Sequence, residues 1–120
     1  MQPGAYLTKP LIKICCVQSI AEARTVIKAG ASAIGLVSAM PSGPGVIDEA
    51  LIAEIASAVP APVETFLLTS EQIASRIIEQ HHICRTTTIQ QVDYVEVAEL
   101  VVSIVHRRHR HRSTFMFNAI

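Results

Sequence analysis

Short apolar runs alternate with longer amphipathic ones along this chain. Residues 11–17 are apolar apart from Lys13 and read as a buried parallel strand. Ser19 and Glu22 then stand at capping-box spacing, Ala23, Val26 and Ile27 share one helical face, and Gly30 supplies a stop. The unit repeats, with residues 33–38 as a second strand and a Pro/Ser/Gly loop at 41–45. A second helix is capped by Asp48, carries Leu51, Ile52, Ile55 and Val59 on its apolar face, and ends at Pro60. Residues 63–68 form the third strand. Its helix is expected from Thr69 or Ser70, with Ile73, Ile77 and Ile78 on one side, and ends around 80–82, where His81 and His82 suit the helix dipole. Residues 86–92, rich in Thr and Ile, make a fourth strand, and 95–105 a fourth helix.

Strands alternating with helices at this spacing predict a parallel sheet with right-handed crossovers. A small open α/β sheet and a segment of a barrel both satisfy that pattern. The 120 residues suit one domain, whereas a complete eight-unit barrel takes about 200–250. The expected organisation is an N-terminal extension at 1–10, a (βα)4 unit at 11–105 and a His/Arg-rich, disordered tail at 106–120.

Composition narrows the function classes. Half of the residues are hydrophobic and 17% charged, which is the composition of a chain with a core. The net charge is zero, yet Arg107, Arg108, Arg110 and Arg112 crowd into one run with His106, His109 and His111. With no interleaved aromatic and no helical register, that run reads as a solvated tail before a nucleic-acid patch. A metal tract ranks last, because the arginines would repel a cation. No apolar stretch reaches the about 18 residues of a membrane span and no signal-peptide pattern opens the chain, so a cytoplasmic protein without membrane partners is expected. Cys15, Cys16 and Cys84 lack the spacing of a disulfide framework or a zinc site and are expected as reduced thiols. Cys16 and Cys84 read as packing residues, and no cofactor or metal is expected.

Lys13, Ile14 and Cys15 on the first strand, the helix start from Ser19 to Ala23, and the run Ala29, Gly30, Ala31, Ser32, Ala33, Ile34, Gly35, Leu36 and Val37 together resemble the opening of phosphoribosylanthranilate isomerase. This is a TIM-barrel enzyme of tryptophan biosynthesis. The resemblance covers residues 11–60 well and stays in register to about Asp93. It implies the N-terminal half of a (βα)8 barrel, a small sugar-phosphate ligand, and an Amadori rearrangement that converts an aminoaldose phosphate to an aminoketose. By resemblance Cys15 is the general base, and an aspartate on a later strand is the general acid. A thiol suits that role because its pKa of about 8.5 can be lowered by nearby positive charge. Read without the resemblance, Cys15 is a small apolar residue in a buried strand. Lys13 is a secondary substrate-binding candidate that could instead hold the strand end.

The sequence departs from the family at several anchors. Cys16 stands where the family has glycine, Gly45 where an arginine grips the anthranilate carboxylate, and Val92 where a histidine is usual. A glycine cannot form a bidentate pair with a carboxylate. Asp93 is not in a position that the resemblance assigns to the general acid. The similarity fades at 92–96, so residues beyond Asp93 are expected to leave the ancestral pattern. These departures imply an incomplete isomerase-like chain, weakly active or inactive. Two alternatives stand beside it: a half-barrel that self-associates or pairs with a complementary half through its open strand edges, and an anion- or nucleic-acid-binding chain acting through the Arg/His run.

Overall fold

The computed structural model describes residues 10–108 and 114–117, with side chains for 10–105. The N-terminal extension expected at 1–10 therefore lies almost wholly outside the described residues, as do 109–113 and 118–120 of the expected tail. Within them the order is β1 (Lys13–Ile14), α1 (Ile20–Lys28), β2 (Ala33–Val37), α2 (Glu49–Ala58), β3 (Glu64–Thr69), α3 (Ala74–Cys84), β4 (Thr88–Gln91), α4 (Val97–Arg108) and β5 (Thr114–Phe117). All pairs are parallel and the sheet order is β1-β2-β3-β4-β5. An order that never reverses puts every right-handed crossover on one side of the sheet. That is the arrangement of a barrel segment and not of a doubly wound open sheet, whose strand order reverses.

The first two helices end where their local chemistry says. Ser19 Oγ accepts from Glu22 N at 3.0 Å, and Glu22 Oε2 accepts from Gln18 N at 3.1 Å. Gly30, at φ +110°, closes α1: its N–H donates to Ile27 O and that of Ala31 to Val26 O, both at 3.0 Å. Asp48 Oδ1 accepts from Leu51 N at 2.7 Å and starts α2.

Two cores follow from strand alternation. On the helix side Ile34, Leu36, Leu67 and Ile89 pack with Val17, Ile52, Ile55, Ile77 and Cys84. On the concave side Ala33, Val37, Phe66 and Leu68 form a smaller cluster, with Cys16, Met40 and Val92 against it.

Several boundaries differ from the sequence expectations. The first strand shortens from 11–17 to Lys13–Ile14 because Cys16 turns left-handed, at φ 61°, although Val17 N still reaches Gly35 O at 3.1 Å. It is also less buried than expected: as an edge strand it leaves Leu11 91% and Ile14 37% exposed. The third helix begins at Ala74, not at 69–70. Its buried face is Ala74, Ile77, Gln80, His81 and Cys84, while Ile73 stays exposed. His81 does more than face a dipole, since it is buried with Nε2 2.5 Å from Thr86 O in the turn that follows. The alternation also continues past Asp93. Helix α4 runs to Arg108, inside the expected tail, and Thr114–Phe117 adds a fifth strand against β4 in register from Thr88 to Gln91. Backbone pairing with β4 fixes this strand, whose residues lie beyond the charge run on which the tail reading rests. Among the described residues no helix is long and apolar enough to cross a membrane.

Candidate functional site

Strand alternation sends Lys13 and Cys15 to the concave face, the face that also carries Ala33, Gly35 and Val37 of β2 and Phe66 and Leu68 of β3. Lys13 Nζ lies 4.6 Å from the Phe66 ring centroid and donates to Oε1 of Gln90 on β4. The ammonium is thus held by an aromatic face and a neutral amide. Among the described residues the ion pairs are those of Arg76 with Glu71 and Glu79, so no carboxylate neutralises Lys13 there.

Cys15 is exposed at the C-terminal tip of β1, where a parallel barrel carries its chemistry. Its thiol fits against β2 because position 35 has no side chain. A Cβ on Gly35 would lie 2.9 Å from Cys15 Sγ, 3.2 Å from its Cα and 3.2 Å from Leu68 Cδ1.

Cys16 occupies a backbone conformation that favours glycine, at φ 61°. This gives a physical reason for the glycine that the resemblance places there. The loop after β2 folds onto it: Cys16 Sγ approaches Pro44 O at 3.7 Å, and a Cβ on Gly45 would lie 2.7 Å from Cys16 Cβ. Gly43 and Gly45 have φ of +117° and +82°, the turn geometry expected from their composition. Burial pushes the Cys16 thiol up, the neighbouring Cys15 thiol adds to this, and the Lys13 ammonium works the other way.

The other residues singled out in the sequence have separate surroundings. Val92 packs beside the concave cluster, and Asp93 is exposed with Oδ1 accepting from Tyr94 N at 2.8 Å. Cys84 is fully buried among the helix-side residues. Sequence reasoning missed Gln90 and Gly35. The signal for Gln90 was available in strand alternation, which puts it on the face opposite Ile89; for Gly35 only the cross-strand contact reveals it. No three His, Cys, Asp or Glu side chains converge on a metal position among the described residues.

Comparison of the sequence with protein-family profiles and with curated proteins gives no match. Solved structures do match. Phosphoribosyl anthranilate isomerase from Thermotoga maritima superposes with a TM-score of 0.77 at 16% identity, over 91% of this chain and 50% of that one. A phosphoribosyl anthranilate isomerase in complex with reduced 1-(o-carboxyphenylamino)-1-deoxyribulose 5-phosphate gives 0.77 and 16%, over 91% and 53%. The Thermus thermophilus enzyme gives 0.76 and 17%, over 90% and 50%. The chain spans about half the length of these structures, and its fold is that of half a phosphoribosyl anthranilate isomerase barrel.

Proposed function

We propose that this chain is a phosphoribosylanthranilate isomerase-like half-barrel in which Cys15 is the general base of an Amadori rearrangement, weakly active or inactive by itself. The observation that carries this reading is the exposed Cys15 thiol at the tip of β1, on the same concave face as the Lys13 ammonium, which no carboxylate neutralises among the described residues. In that reaction a base removes the C2′ proton while an acid protonates the ring oxygen, opening the sugar. Cys15 would take the proton as thiolate, and Lys13 would supply positive charge toward a sugar phosphate. Asp93 is engaged with its own turn and is given no acid role. That one similar structure holds a deoxyribulose phosphate supports the ligand class. Cytoplasmic tryptophan biosynthesis is the setting this reading implies, without a cofactor or metal.

The test is fluorescence loss from freshly made phosphoribosylanthranilate. Weak turnover that vanishes in Cys15→Ser is expected. Turnover that survives in Cys15→Ser overturns the base assignment, and absence of any turnover in the unmodified chain reduces the reading to its fold.

A second reading rests on the edges. Among the described strands β1 pairs only with β2 and β5 only with β4, and Leu11 and Ile12 beside β1 are 91% and 45% exposed. Such an edge invites a second copy or a complementary half. Sedimentation at micromolar concentration decides: association is expected, and a monomer with a cooperative melt rules this out.

A further inference from the structure

The two adjacent thiols share one face, which an extended strand would forbid. Successive side chains of a strand point to opposite sides, so Cys16 should face the helices. Its left-handed backbone turns it back instead, and its side chain packs against the concave cluster beside which Cys15 lies. Two glycines clear the space. A Cβ at position 35 would press on Cys15 Sγ at 2.9 Å, and one at position 45 on Cys16 Sγ at 3.0 Å. Cys15 is exposed and Cys16 partly so.

A direct bond between these sulfurs meets a geometric obstacle. Neighbouring Cα atoms sit about 3.8 Å apart across a trans peptide, short of the roughly 4.4–6.8 Å that disulfides usually need. An atom inserted between the sulfurs relaxes that constraint. Zinc wants four ligands, and no third ligating side chain converges here among the described residues. A soft centre satisfied by two thiolates and one further substituent fits better.

We propose that Cys15 and Cys16 form a vicinal dithiol site that chelates trivalent arsenicals through both sulfurs. With a hydrated aryl arsenoxide, two As–O bonds break and two As–S bonds form. The two thiol protons leave with the two hydroxides as water, and arsenic stays trivalent. The inference stands on the paired thiols and holds whether or not the chain isomerises anything. Cys84 takes no part, because it is buried on the other face of the sheet.

The probe is phenylarsine oxide, added to the full reduced chain and followed by intact mass. One adduct is expected that excess 2-mercaptoethanol leaves in place and 1,2-ethanedithiol removes. Cys84→Ala should keep it, and Cys15→Ser and Cys16→Ser should each lose the monothiol-resistant adduct. Should serine at position 16 prevent folding, Cys16→Asn carries the same expectation, since asparagine tolerates the left-handed backbone. An adduct that 2-mercaptoethanol removes from the unmodified chain, or one that resists it in a folded Cys16 variant, overturns the site.

Discussion

The backbone N–H of Ala74, in the first turn of α3, donates to Oε2 of Glu99 on α4 at 2.8 Å. Ile73, the residue before the helix, provides no side-chain cap, so a carboxylate 25 residues downstream does that work. A carboxylate at a helix N-terminus satisfies an orphan donor and meets the positive end of the dipole. Glu99→Ala should cost about 1 kcal/mol and lower Tm by a few degrees, with Glu99→Gln losing less. Thermal melts followed by circular dichroism check this, and equal Tm values for all three chains would remove the role.

Gly35 is a steric requirement of the Cys15 position. Gly35→Ala should destabilise the chain by about 1–3 kcal/mol, as overpacking does. The new methyl meets Cys15 Sγ first, so Cys15→Ala should recover part of the loss. A double-mutant cycle in urea measures the coupling; additive effects would mean that the two residues do not compete for the same space.

Gln91 is buried on β4, and neither of its amide atoms has a hydrogen-bond partner among the described residues. It lies two residues from Ile89, on the side that faces the helices. An unsatisfied buried polar group costs about 1–3 kcal/mol, and an apolar replacement of similar shape removes that cost. Gln91→Leu should therefore raise the urea midpoint with the slope unchanged. A lower midpoint contradicts it.

Burial, with a smaller push from the Glu49 carboxylate, raises the Cys84 thiol well above the ordinary thiol range, to about 12. The folded chain holds this proton more tightly than the unfolded chain. Its contribution to stability is therefore complete below about pH 9 and is lost as pH rises toward 12, at up to about 1.4 kcal/mol per pH unit. Urea unfolding between pH 8 and 11 should show that fall, and Cys84→Ala should flatten it. A Cys84→Ala chain with the same pH slope would exclude this thiol as the source.

Sequence alone determined what four or five neighbouring residues can settle. Ser19 with Glu22, Gly30, and Asp48 marked the ends of α1 and the start of α2, because each cap bonds within its own turn. Apolar periodicity likewise established the strand–helix alternation and placed Cys15 in the first strand run, while the resemblance put it at the strand end. Tertiary structure decided whatever depends on a partner distant in sequence. It chose a barrel segment over an open sheet through strand order, and it made a fifth strand of Thr114–Phe117, inside the segment read as a tail. It also started α3 at Ala74 through Glu99 and gave Lys13 an amide partner on β4. Cys16 shares the concave face with Cys15 because a folded-back loop and a left-handed backbone place it there. Local propensity has no access to such contacts, since the groups that make them meet only once the strands are side by side.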